Sequence, residues 1–363
     1  MPLQSIQMLR GIAALLVLIS HLGLSENRFL DNPIAPTGLM TGVSGVDLFF
    51  VISGFVMVYV TRGLPRFDAK GTARFVYARV TRIYPVYWVF TLAMIAAMAL
   101  IPGLSRQVSD LDLLASVFLL PSKTEPALVV AWTLIHEMYF YLVFAVLMLA
   151  PARWLPALLA AWIIVVAGAD FAGISASNAV TALVFHPLTA EFVLGCVVGL
   201  LVMSGRRAFA LPLLVGGVAL WLGAGAWIMS NAEATVPNGW LRVALWGIPA
   251  SLIVYGAIGL ELDRKMKGSA LLARIGDWSY ALYLCHLPLV AMIARLWGRY
   301  GPDIGIIDNV VVMAIGAGAS LGLAALTYMV FERPALSLAR RAGGRLFGKA
   351  PATGARTPAA RIW

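Results

Sequence analysis

Ten separate stretches of the chain each hold about 20 predominantly apolar residues, the length that crosses the hydrocarbon core of a bilayer as a helix. They lie at about 6–24, 43–61, 84–102, 130–150, 154–172, 182–204, 208–229, 241–262, 277–297 and 308–331. Inside hydrocarbon every backbone polar group must find a partner within the protein, so only helices or a closed barrel can span it. No stretch alternates with the two-residue period of a barrel strand. The expected fold is therefore all-α, a polytopic membrane protein of about ten transmembrane helices. Of the 363 residues, 61% are hydrophobic and 12% are charged, against roughly 25% charged in an ordinary soluble domain. That balance excludes a soluble globular enzyme and a disordered chain. The expected organisation is one transmembrane domain over 1–334 and a basic tail over 335–363. The first span has no basic segment before Arg10 and no small-residue cleavage site, so it does not read as a signal peptide.

Orientation follows from the basic residues. Of the 27 lysines and arginines, 20 fall in loops on one side and in the tail, and six fall on the other side. The first group includes Arg62, Arg66, Lys70, Arg74, Arg79 and Arg82 after span 2; the second is Arg28, Arg106, Lys123, Arg242, Arg295 and Arg299. This asymmetry predicts that both termini are cytoplasmic. It accounts for the net charge of +10 as topology signal and contact with anionic lipid headgroups, without a nucleic-acid partner. The tail from about 338 is expected to be disordered or to lie on the inner leaflet. In the long outer loop 103–129, Leu111–Leu120 is apolar enough to lie in the interface or fold back into the protein. Loop 230–240 is a short polar outer connection. No internal repeat is visible, which weighs against an inverted-repeat transporter.

Ionisable residues at bilayer depth are costly and mark functional candidates. Here they are Arg10, His21, Asp47, His136, Glu137, His186, Glu191, Asp277 and His286. Arg10 and His21 are eleven residues apart, about three turns and about 16 Å, so they share one helix face. A fixed cation, a titratable base and the small or apolar Ala14 and Val17 between them could line a passage. They read equally well as a snorkelling anchor and an interhelical hydrogen bonder. Asp47 lies close to the level of His21, where it would fix the tautomer of a neighbouring imidazole, or it caps its helix with Ser44. Ser53-Gly54 suits close helix packing. Arg79 and Arg82, three apart before Pro85, suit a multiply phosphorylated ligand or a positive-inside flank. Glu137 points away from His136 and needs a cation or hydroxyl from another helix. Ser279, Tyr283 and His286 share a face. Cys196 and Cys285 lie in apolar stretches, which argues against a disulfide framework and a thiolate metal site. The four histidines lack metal-ligand spacing, so no metal is expected. No phosphate-cradling glycine loop follows a strand, which disfavours an ATP-driven pump.

Taken in order, LRGIAALLVLISH, GVDLFFVISGFVM, ARVTRIYPVYW, WTLIHEMYFY, LTAEFVLGCVVG, IGDWSYALYLCHLPL and FERP resemble the motif series of the acyltransferase 3 family of bacterial integral membrane proteins. The resemblance spans nearly the whole chain. It includes the arginine-x10-histidine spacing of Arg10 and His21, and its look is that of the short, exopolysaccharide-modifying (ExoZ-like) subgroup. No esterase-like SGNH domain follows the last span, so passage of the acyl group through a second soluble domain is not expected. The resemblance implies an O-acyltransferase of a bacterial inner membrane. It would move an acyl group, usually acetyl, from cytoplasmic acyl-CoA to a hydroxyl of an extracytoplasmic glycan or lipid-linked saccharide. No cofactor is bound permanently; acyl-CoA is the donor substrate. His21 is then the expected general base, oriented by Asp47 or Glu137. Acyl-CoA would contact Arg10, Arg79, Arg82 and Tyr84. The remaining pocket would include Ser53, Gly54, Trp132, Tyr141, Glu191, Ser279, Tyr283 and His286, with Ser53-Gly54 or Tyr283 facing the oxyanion. Direct transfer and an acyl-enzyme both remain open, as does oligomeric state. The competing reading is a transporter or flippase for a lipid-linked sugar or organic anion, using the same intramembrane charges.

Overall fold

The computed structural model describes residues 3–31, 33–62, 68–101, 108–230, 237–302 and 305–348. Arg66, Arg106, most of loop 230–240, the start of loop 103–129 and the tail beyond 348 lie outside the described residues. The helices are α1 (Gln4–Phe29), α2 (Gly45–Thr61), α3 (Ala69–Leu100), α4 (Leu113–Phe118), α5 (Trp132–Leu147), α6 (Leu155–Phe171), α7 (Ala179–Val184), α8 (Thr189–Met203), α9 (Ala210–Ser230), α10 (Gly239–Arg242), α11 (Ile248–Leu262), α12 (Ala270–Tyr300), α13 (Ile306–Thr327) and α14 (Arg333–Phe347). There is no strand among the described residues. Ten helical segments are long and apolar enough to cross a membrane. Short 3-10 and π segments join several helices into these spans; Val243–Gly247, for example, carries α10 into α11.

Two expectations change. The third span was expected to begin at 84, with the arginines in a preceding loop. Instead α3 starts at Ala69 and continues through Pro85. Asp68 caps it, its carboxylate accepting the N–H groups of Lys70 and Gly71 at 3.0 Å each. Proline removes one backbone donor, and in a 32-residue helix the remaining bonds hold the line. Arg79 and Arg82 are therefore helical residues. Part of the tail is also helical: α14 packs on α3, where Tyr77 donates to the Ala339 carbonyl at 3.0 Å and its ring meets that of Phe347. The apolar segment of loop 103–129 folds back as α4. Tyr84, Tyr87 and Trp88 of α3 donate to the carbonyls of Phe118, Ser116 and Val117.

The chain divides into two compact units. One comprises Ser53–Gly205 and the chain from Met329, with the second half of α2, then α3–α8 and α14. In it α3 packs on α5 and α14, and α8 on α5 and α6. The other comprises Leu3–Ile52 and Arg206–Tyr328, with α1, the first half of α2 and α9–α13. Its main contact is α1 on α12, with α9 against α11 and α12 against α13. The start of α1 has no side-chain cap of its own. Glu261, at the end of α11, fills that role: its carboxylate accepts the N–H of Gln4 and of Ser5 at 2.7 Å each, and the Ser5 hydroxyl.

Glycines set how closely the helices approach. A Cβ at Gly276 of α12 would overlap the Gln7 carbonyl of α1, and one at Gly11 would overlap the Leu272 carbonyl. In the other unit a Cβ at Gly54 would overlap the Phe192 carbonyl of α8. Lipid gives helices no hydrophobic drive to associate, so such backbone contact carries much of the packing. Gly276→Ala and Gly54→Ala should each destabilise the protein by about 1–3 kcal/mol, read as a lower thermal unfolding midpoint in detergent. Gly318→Ala, where a Cβ meets nothing, is the control and should leave the midpoint in place.

Candidate active site

The close approach of α1 and α12 aligns two polar contacts. At one end, Gln7 donates to Asp277 at 2.6 Å and accepts from Arg10 at 3.4 Å. At the other, the His21 and His286 rings meet edge-on with centroids 4.9 Å apart. Residue 7 pairs with 277 and residue 21 with 286, so the helices run parallel. Arg10 and His21 indeed share a face, and that face is packed against α12.

The hydrogen bonds settle how this histidine pair is wired. His286 Nδ1 lies 3.0 Å from the Leu282 carbonyl, and His21 Nδ1 lies 2.9 Å from the Val17 carbonyl. A carbonyl only accepts, so in both rings Nδ1 carries the proton. His286 Nε2 is then an acceptor, 3.2 Å from His21 Nδ1. The His21 N–H is shared between Val17 and His286, and the lone pair of neutral His21 sits on Nε2. His286 is 1% exposed, whereas His21 is only half-buried. The inner ring thus holds the outer one with a basic nitrogen turned away from the contact. The Tyr283 ring lies 5.8 Å from that of His286 and 6.1 Å from that of Phe49. Ser279, one turn before Tyr283, is fully buried.

Asp47 was expected to orient His21. It is engaged elsewhere: Arg242, at the end of α10, donates Nε to one carboxylate oxygen at 2.7 Å and Nη2 to the other at 2.9 Å. Both residues are buried. This fork-to-fork pair fixes the start of α2 against α10. By sequence Arg242 groups with the cations of the less basic side. The signal missed was a lone arginine at the head of an apolar span.

The unit that contains α3–α8 has its own polar cluster. Glu137 Oε1 accepts from Ser53 Oγ at 3.0 Å and from the Tyr141 hydroxyl one turn further along α5. Ser53 and Tyr141 are also 3.0 Å apart. The guanidinium of Arg79, 5% exposed, stacks over the rings of Tyr141 and Phe75 at 5.5 and 5.7 Å. Gly54 packs against α8, where Cys196 Sγ donates to its carbonyl at 3.4 Å, and this seats Ser53 at Glu137. Glu137 therefore has the hydroxyl partner its sequence context called for. Arg82 forms an ion pair with Glu332 of the closing FERP motif, a fully buried carboxylate. The Tyr84 hydroxyl donates to Phe118 O at 2.8 Å. His136 Nδ1 donates to the Trp132 carbonyl at 2.9 Å, and its ring meets that of His186 at 4.9 Å. The four histidines thus form two pairs, one in each unit. Glu191 is fully buried in the first turn of α8. No group of three or more metal-ligating side chains occurs among the described residues.

The acyltransferase-domain family model matches residues 3–329 of this chain. The chain belongs to the acyltransferase 3 family. This family member is 32% identical over 333 residues to the exopolysaccharide production protein ExoZ of Rhizobium meliloti (strain 1021), covering 85% of this chain and 95% of that one. It is 29% identical over 385 residues to the acyltransferase MdmB of Streptomyces mycarofaciens, covering 93% of each. No solved structure matches it. The matched family and the ten apolar helices together make this acyltransferase 3 protein a multi-pass membrane acyltransferase.

Proposed function

We propose that the protein is an O-acetyltransferase of a bacterial cytoplasmic membrane, taking acetyl from cytoplasmic acetyl-CoA to a hydroxyl of an extracytoplasmic glycan. The observation that carries this reading is the wired histidine pair. A sugar hydroxyl is a poor nucleophile near neutral pH and needs a base within hydrogen-bond reach. His21 Nε2 takes the hydroxyl proton while His286 holds the ring. The sugar oxygen then bonds to the thioester carbonyl carbon, and the oxyanion that forms accepts the Tyr283 hydroxyl. Collapse of the tetrahedral intermediate breaks the C–S bond, and the proton on His21 passes to the leaving thiolate, giving the ester and free CoA. In this reading transfer is direct. Arg79, Arg82 and Arg10 are the cations for the donor's phosphates, with Arg82 poised by Glu332. The excess of basic residues on one side supports cytoplasmic termini and a cytoplasmic donor. The similarity to ExoZ supports an exopolysaccharide as the acceptor class, with O-antigen as the related alternative.

The test is calorimetric titration of acetyl-CoA into the detergent-purified protein, followed by CoA-thiol release with candidate glycans. The wild type should bind acetyl-CoA, and Arg82→Lys, which keeps a cation beside the fully buried Glu332 but loses the guanidinium fork, should bind it about tenfold more weakly. CoA release should require the glycan. Absence of acetyl-CoA binding by folded wild-type protein, with glycan or anion flux in vesicles, would instead establish the transporter reading.

A further inference from the structure

Helix α14 turns a charged and partly apolar surface away from α3. Its 15 residues include Arg333, Arg340, Arg341 and Arg345 and no acidic side chain. At 100° per residue Leu336, Ala339, Gly343 and Phe347 share one face. That face is the packed one: Leu336 and Gly343 are buried, and Tyr77 of α3 meets Ala339, Gly343 and Phe347. Leu338, Ala342 and Leu346, at i, i+4 and i+8, form a second stripe that is bare, its leucines 64% and 65% exposed. Arg341 and Arg345, also exposed and four residues apart, run along one edge of this stripe. Neither makes an ion pair among the described residues.

The depth of α14 follows from what α3 touches. The half of α3 that carries Tyr77 also packs on α5: the Phe75 ring lies 5.8 Å from that of Phe144, and Arg79 stacks over Tyr141. Tyr141 and Phe144 belong to the last two turns of the spanning segment Val129–Leu147. The helix packed on this part of α3 is therefore level with the end of a span, where headgroups begin. Single exposed leucines are ordinary on a surface in water. An aligned apolar stripe edged by arginines, at the level of the headgroups, has the make-up of a helix that lies in the interface. The charge says which lipid covers it. Four arginines without a carboxylate call for net negative headgroups, since the choline or ethanolamine of a zwitterionic lipid offsets its own phosphate.

We propose that α14 docks on anionic glycerophospholipids of the leaflet on the lysine- and arginine-rich side, with Leu338, Ala342 and Leu346 between the acyl chains and Arg341 and Arg345 on the headgroup phosphates. Each basic residue near an anionic leaflet favours docking about fivefold. The docking is independent of acetyl transfer and of the donor.

Amide hydrogen exchange tests it on the whole protein. The protein is placed in nanodiscs of phosphatidylcholine, or of phosphatidylcholine mixed with phosphatidylglycerol, and rates over 338–347 are read against α5 as the internal reference. In wild type these amides should exchange at least about tenfold more slowly in the mixed discs. About 1 M NaCl, where the Debye length is about 3 Å, should remove most of that difference. Arg341→Gln with Arg345→Gln keeps helix propensity and should exchange at the same rate in both discs, to within about twofold. Glycerol 3-phosphate added to phosphatidylcholine discs should give no protection. Equal wild-type rates in the two discs would overturn the proposal, as would lipid-dependent protection that survives in the double variant. Protection by glycerol 3-phosphate would also overturn it, making the arginines a site for a soluble anion. Should the double variant fail to fold, the lipid and salt comparisons on wild type decide: protection by phosphatidylglycerol that salt leaves in place would overturn the headgroup reading.

Discussion

His21→Ala is expected to fold and to bind acetyl-CoA like the wild type, but to transfer acetyl about 10²–10⁴-fold more slowly, the range a positioned general base contributes. The substitution removes Nε2, the nitrogen left basic by the hydrogen bonds of Nδ1 to Val17 and His286. The α1–α12 contact survives because the backbones already meet at Gly11 and Gly276, although the buried His286 Nε2 loses its donor. The companion variant separates positioning from chemistry. His286→Leu removes the interhelical acceptor of His21 Nδ1–H, leaving only the Val17 carbonyl on its own helix, and should lower kcat about 10- to 100-fold with little change in KM for acetyl-CoA. His286→Gln restores an acceptor oxygen and should recover part of that loss. A purely structural role for His286 would instead show equal losses for Leu and Gln, tracking the amount of folded protein. Wild-type turnover by His21→Ala would remove this histidine from the mechanism altogether.

Arg242→Ala should cause the largest loss of stability, about 3–5 kcal/mol. It leaves the Asp47 carboxylate fully buried and deprives it of bonds at 2.7 and 2.9 Å to both oxygens. Arg242→Lys should recover only part of this, since an ammonium cannot form the two parallel bonds of a guanidinium. Asp47→Ala with Arg242→Ala removes both charges together and should be more stable than either single variant. Thermal unfolding in detergent, with the fraction of monodisperse protein, reads all four. An unchanged midpoint for Arg242→Ala would mean that water or lipid headgroups already solvate Asp47.

Much of the architecture was legible because it depends on local composition. Whether a stretch can cross hydrocarbon is decided by its own apolar length. All ten spans are present as helices, with α3 and α12 extending beyond their apolar centres. The early start of α3 is hidden in the sequence because a polar run resembles a loop, although Asp68 is a cap by residue type. The shared face of Arg10 and His21 followed from helical period alone, as did the stripe of Ser279, Tyr283 and His286.

Pairing between helices was beyond that reach. By sequence Asp47 sits close to the level of His21, but Gly42 and Gly45 before it meet the Leu16 and Ala13 carbonyls of α1, so Asp47 lies further along that helix, away from His21. Asp47 meets a residue 195 positions away and His21 one 265 positions away. Glu332 of the closing motif meets Arg82, 250 positions before it. The number of spans, their helical form and which polar groups fall within apolar stretches follow from local sequence, because bilayer thickness and helical period act on neighbouring residues. Which of those groups touch was decided only by the tertiary structure, because it depends on where glycines let backbones close up.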